Sequence, residues 1–118
     1  FFYQFCFAAT ASTITTGALA ERTDFVGDLI YTTIMGAISY PIIAHWAWNT
    51  GGWLYKLGYH DFAGSGVVHA VGGVTSLVGA WLLGPRPNRV WGDIPSPHNL
   101  SLATLGTMIL WFGWYGFN

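Results

Sequence analysis

The chain has 118 residues, of which 53% are hydrophobic and 8% charged, with seven Trp, a formal net charge of −1 and a mean hydropathy of +0.43. A soluble domain carries about a quarter charged residues, so this balance excludes an ordinary soluble fold and offers no basic surface for nucleic acid. The single Cys6 excludes an internal disulfide and any multi-cysteine metal or redox motif.

The charged side chains fall in three short clusters: Glu21, Arg22, Asp24 and Asp28; then Lys56 and Asp61; then Arg86, Arg89 and Asp93. Around them lie runs without Asp, Glu, Lys or Arg at residues 1–20, 29–55, 62–85 and 94–118. Each reaches the roughly 20 residues that cross about 30 Å of hydrocarbon. Only helices or closed barrels satisfy the backbone in lipid, and these runs are too long, and lack the alternation, for barrel strands. The predicted fold is therefore all-α and polytopic, with four transmembrane helices over about 1–21, 26–48, 62–83 and 100–118. Arg22, Arg86 and Arg89 lie in the first and third connections and only Lys56 in the second, so the first helix should run from outside to inside.

The first predicted helix carries Gln4, Thr10, Ser12, Thr13, Thr15 and Thr16 among Phe and Ala; such hydroxyls bond back to their own helix carbonyls or pack between helices. It has no basic leading segment, which argues against a secretory signal. The second ends in Tyr40, Trp46 and Trp48, followed by Trp53, Tyr55 and Tyr59, the composition of an interfacial belt. Asp61 stands immediately before the third helix, placed either to cap its free amides at the positive end of the dipole or to meet a ligand.

The third helix holds an intramembrane imidazole, His69, which is costly there unless something uses it. At about 100° per residue, Ser65, Gly66, Gly72, Gly73 and Ser76 gather around His69, while Val67, Val71, Val74 and Val78 gather on the opposite face. The expectation is that the Val stripe meets acyl chains and the small stripe, with His69, faces inward. Gly84, Pro85 and Pro87 stop this helix, a polar inner loop runs to about His98, and the fourth helix holds Trp111, Trp114, Tyr115 and Phe117. A start without Met inside an apolar run, and an end inside an unfinished helix, lead to the expectation of an internal fragment.

Taken together, FAATASTITTGALAER (Phe7 to Arg22), YPIIAHW (Tyr40 to Trp46), DFAGSGVVH (Asp61 to His69), GPR (Gly84 to Arg86) and LWFGWYGFN (Leu110 to Asn118) resemble the ammonium transporter family in order and spacing. The wording is closer to the transporters proper than to the related Rhesus glycoproteins. The resemblance implies an eleven-helix, homotrimeric, channel-like transporter in the plasma membrane, of which these would be helices three to six. It implies ammonium or ammonia as substrate, the lipid bilayer as surroundings, no cofactor or metal, and no enzymatic activity.

By the same resemblance His69 matches the first of two paired pore histidines, and Phe7 and Phe117 match the stacked phenylalanines that close the outer mouth. Trp48 matches the aromatic of the outer recruitment site, alignment through His45 favouring it over Trp46. Asp61 matches an acidic structural support near that site, and Trp114 a pore-side tryptophan. The second histidine and a recruitment serine would lie beyond Asn118.

These residue types suit the task. Taking a compact cation from water into a lipid-like medium costs on the order of 20 kcal/mol by the idealised Born estimate, so a narrow apolar pore cannot carry ammonium unaided. An aromatic face contributes about 0.5–2 kcal/mol, enough to concentrate ions without trapping them. A neutral imidazole beyond a phenylalanine gate can donate or accept a hydrogen bond, so ammonium would lose its proton on entry and cross as ammonia. The rival readings are an ammonium sensor of the same fold, a membrane redox subunit with His45 and His69 as haem ligands, and a hydrolase using Ser65 and His69.

Overall fold

A backbone that must satisfy its hydrogen bonds within each segment becomes helix, and the computed structural model, which describes residues 1–118, contains helices and no strands. The elements are α1 (Phe2–Leu19), α2 (Phe25–Ile34), a π-helical segment (Met35–Ser39), α3 (Tyr40–Trp48), α4 (Trp53–Lys56), a second π-helical segment (Ser65–Ala70), α5 (Val71–Leu83) and α6 (Leu100–Phe117). Phe1–Pro87 and Asn88–Asn118 are two compact units.

Three stretches are long and apolar enough to cross a membrane: Phe25–Lys56, Ser65–Leu83 and Leu100–Phe117. α1 is 18 residues long, but Gln4 and its run of Ser and Thr lower its hydropathy. Those hydroxyls behave largely as a self-contained set: Thr10 donates to the Cys6 carbonyl, Ser12 to Ala8 and Thr16 to Thr13.

α1 is the element on which the first unit is assembled. Its buried residues, Phe7, Ala11, Thr15 and Leu19, recur every four positions and form one stripe. The middle of that stripe is small, so α5 approaches closely. A Cβ on Gly72 would lie 2.7 Å from Ile14 Cβ and 3.1 Å from the Ala11 carbonyl oxygen, and one on Gly79 would lie 2.8 Å from Leu19 Cδ2. The contact is also polar: the Thr15 hydroxyl, fully buried, donates across to the Gly72 carbonyl at 3.2 Å. On the other side of α1, Tyr31 donates to the Ser12 carbonyl and Tyr40 to Gln4 Oε1 at 2.8 Å.

At the end carrying the C-termini of α1 and α5, two arginines exchange places. Arg22, just after α1, donates through Nη1 to the carbonyls of Ala80 and Gly84 at the end of α5. Arg86, just after α5, donates to the carbonyls of Gly17 and Ala20 at the end of α1. Each cation thus answers carbonyls at the negative end of the other helix. A 3.4 Å pair between Arg86 and exposed Glu21 adds little, as surface ion pairs do.

Both π-helical segments, and α4, were outside the sequence reading. The first precedes Pro41, which has no amide for the helix ladder and whose ring crowds the carbonyl one turn back. Widening the turn absorbs the fault, with the Tyr40 amide reaching the Met35 carbonyl, and the helix continues through the proline. The second changes the facial assignment around His69. Val67 and Val68 are buried, as is Gly72, whereas Gly73 and His69 are exposed. Val67 therefore does not belong to a lipid-facing stripe, although Val74 and Val78 are exposed. The extra residue in the wide turn rotates Val67 relative to α5, and a constant 100° step cannot register that.

Gly72→Val in the full-length parent is expected to overpack the contact of α5 with α1, costing about 1–3 kcal/mol or more. A melting temperature equal to that of the parent in detergent would contradict this packing.

Candidate functional site

Asp61 organises the outer end of the helix bearing His69. Its carboxylate is buried and accepts four backbone hydrogen bonds. Oδ1 takes the amides of Gly64 and Ser65 at 2.9 Å each, and Oδ2 takes those of Gly66 at 2.9 Å and Val67 at 2.8 Å. These are the amides that a helix start leaves unanswered, here with a full negative charge at the positive end of the dipole. Of the two roles considered for Asp61, the geometry is that of the cap. Helix therefore begins at Ser65 rather than Phe62, because the intervening residues fold the chain back over the carboxylate.

Gly64 makes that fold possible. Its φ of +94° favours glycine, and a Cβ there would sit 2.8 Å from Val68 Cγ2. The Gly64 carbonyl accepts from the amides of both Val68, at 2.9 Å, and His69, at 3.0 Å. The bond to His69 spans five residues and is the π-helical step itself. His69 is thus placed by a wide turn anchored directly behind the Asp61 cap, a position where π-helical turns recur at functional sites.

Asp61 also fixes an aromatic cluster. Its backbone carbonyl accepts the indole N–H of Trp48 at 2.6 Å, so this half-buried ring is held by its edge. Phe7 packs against it with centroids 5.6 Å apart and a 49° tilt, and Tyr3 meets Phe7 edge-on at 4.7 Å. Between α1, the end of α3 and the connection that follows lies a cleft of about 370 Å³. Six aromatic side chains line it, namely Tyr3, Phe7, Trp48, Tyr55, Tyr59 and Phe62, with Gln4, His60 and Asp61 as polar neighbours.

The connection reaches the cleft because it turns tightly. Asn49 closes the turn by accepting from the Gly51 and Gly52 amides, and a Cβ on Gly52 would collide with the carbonyls of His45 and Trp46. Trp46 is not part of the cleft; it pairs edge-on with Trp53 at 5.8 Å.

Of the residues singled out from sequence, Phe7, Trp48 and Asp61 come together here, and His69 follows on the capped helix. Trp114 and Phe117 lie on α6, in the other unit, the first exposed and the second half-buried. Tyr3, Tyr55, Tyr59 and Phe62 were missed as cleft residues. The only signal for Tyr55, Tyr59 and Phe62 was the aromatic density around residues 53–62, which reads equally well as an interfacial belt, and Tyr3 gave none.

A polytopic helical membrane protein with an aromatic cleft at the head of a histidine-bearing helix is the class these observations define. A sequence model described as the Ammonium Transporter Family matches residues 1–118, and the chain belongs to that family. It is 48% identical to ammonium transporter 1 member 4 of Arabidopsis thaliana over the whole of this chain and 26% of the relative. Against ammonium transporter Amt2 of Archaeoglobus fulgidus the identity is 49%, over 99% of this chain and 28% of the relative. Against ammonium transporter 1 member 1 of Solanum lycopersicum it is 47%, over 100% and 27%. The chain thus spans about a quarter of the length of the curated relatives it matches. No solved structure matches it.

Asp61→Ala should leave four first-turn amides without an acceptor and cost on the order of 3 kcal/mol, with Asp61→Asn falling between that variant and the parent. Thermal unfolding of the full-length protein measures this; an Ala variant as stable as the parent would mean the cap contributes nothing.

Proposed function

We propose that this chain is the part of an ammonium transporter that recruits ammonium at its outer face and passes it to a histidine-lined pore. The observation that carries the reading is the Trp48–Phe7 pair, held beside the Asp61 cap at the head of the helix that bears His69. Family membership and the names of the relatives supply the substrate class.

In this reading an ammonium ion enters the cleft and rests against the Trp48 ring, whose indole edge is already tied to the Asp61 carbonyl. The ring therefore spends none of its interaction on ordering itself, and the quadrupole attracts the cation by about 0.5–2 kcal/mol. Phe7, 6% exposed, forms the floor of the site and serves as a gate that strips water, a role that the family resemblance gives to Phe117 as well. Phe offers no hydrogen bond to a departing hydration shell, so only a species that can shed its water goes further. His69 then receives the deprotonated molecule, and Trp114 keeps the pore-side role that the family resemblance assigns it. The full-length protein works as a homotrimer in the plasma membrane.

Uptake of methylammonium by the full-length parent, in cells without their own ammonium uptake, tests this. Trp48→Leu should raise the concentration for half-maximal uptake about two- to thirtyfold, the equivalent of the lost ring interaction. His69→Ala should lower the maximal rate at least about tenfold, as loss of one positioned hydrogen-bonding group does. Unchanged uptake in the His69 variant would remove it from the conduction path, and a parent that carries nothing would make the protein a sensor.

A further inference from the structure

The membrane-crossing stretch Ser65–Leu83 carries three hydroxyls, those of Ser65, Thr75 and Ser76. Thr75 donates to the Val71 carbonyl at 2.7 Å and Ser76 to the Gly72 carbonyl at 2.7 Å, the back-bonding usual for such residues inside a helix. Ser65 opens the helix, so no helical turn lies behind it to accept in the same way. The carbonyl four residues back belongs to Asp61 and receives the Trp48 indole. Ser65 places its amide on the Asp61 carboxylate at 2.9 Å, while its hydroxyl makes no hydrogen bond within residues 1–118.

That hydroxyl stands between the cleft and the imidazole. Ser65, His69 and Gly73 are exposed and recur every four residues, so they share one side of the helix, whereas Val67, Val68 and Gly72 are buried. Ser65 sits at the capped end, bonded to the Asp61 that lines the cleft, and His69 follows about one turn farther in. One turn advances about 5.4 Å, close to two hydrogen bonds of about 2.9 Å laid end to end. A small N–H donor between the two side chains can therefore reach both.

We propose that Ser65 is a further polar residue of the conduction path, whose hydroxyl accepts an N–H of the permeating molecule beyond Phe7 and passes it to His69. The proposal deepens the transport reading and rests on it. A molecule that leaves its water at an apolar gate loses hydrogen bonds, and the protein must replace them. Phe7 offers none. Ser65 supplies the first replacement before the imidazole takes over. A neutral hydroxyl suits the step because it accepts equally from ammonium and from ammonia, and it carries no charge that would hold the cation in place.

Methylammonium uptake by the full-length parent and its Ser65→Ala and Ser65→Thr variants, with melting temperatures of the purified proteins, tests this. Ser65→Ala is expected to lower the maximal rate about two- to twelvefold, the equivalent of one hydrogen bond. The concentration for half-maximal uptake should stay within about twofold of the parent, because the Trp48 ring is untouched. The melting temperature should equal that of the parent, since alanine keeps the amide that Asp61 accepts. Ser65→Thr, which restores the hydroxyl, should recover most of the rate. An alanine variant as fast as the parent overturns the role of Ser65 and leaves the transport reading standing. So does a slow alanine variant that melts lower and is not rescued by threonine, because the serine is then structural. A parent that carries no methylammonium removes both readings.

Discussion

The structure depends on one carboxylate answering four amides. In hydrocarbon an unpaired backbone group costs several kcal/mol, and a helix start exposes a full turn of them. Asp61 takes the amides of Gly64, Ser65, Gly66 and Val67, which fixes where the helix bearing His69 starts. The cap requires the left-handed turn at Gly64, and that carbonyl in turn starts the wide turn leading to His69. The Asp61 carbonyl holds Trp48 in place. The aromatic cleft and the position of His69 are therefore set by the same residue, through different atoms of it.

The opposite end obeys the same rule with the sign reversed. Helix C-termini leave carbonyls rather than amides, and cations answer them. Arg22 and Arg86 do so reciprocally, each reaching the helix it does not follow. This ties the ends of α1 and α5 together where Gly72, Gly79 and Ala11 have let them approach. Basic residues that sequence statistics count only as orientation signals are, in this fold, the C-terminal caps of the central helix pair.

Family resemblance and physical reading contribute different things to the functional picture. The resemblance supplies the roles proposed for His69, Phe7 and Trp48; the geometry shows what holds Phe7 and Trp48 together and what places His69. Trp48 is a fixed ring because its N–H is bonded to the Asp61 carbonyl. The cleft beside it is lined by six aromatic side chains together with Gln4, His60 and Asp61.

Much of the architecture was legible because charge spacing and apolar length are one-dimensional properties. Uncharged runs, the Gly84–Pro85 stop and the acidic residue ahead of the third helix follow from hydrophobic length and end chemistry, and all of them can be counted along the chain. The face of the His69 helix was not legible. A π-helical turn arises where a cap, a left-handed glycine and the packing against α1 together leave room for one residue too many, and only the folded arrangement of all three reveals it. The cleft was hidden for the same reason: Tyr3 and Tyr59 are far apart in sequence, and the tight turn at Asn49–Gly52 and the bond from Trp48 to Asp61 bring their surroundings together. Sequence by itself determined that the chain is helical and membrane-spanning, and left Asp61 as either a cap or a ligand contact. Tertiary structure alone decided which side chains meet, because those meetings rest on close approaches and shared acceptors between segments that share no local pattern.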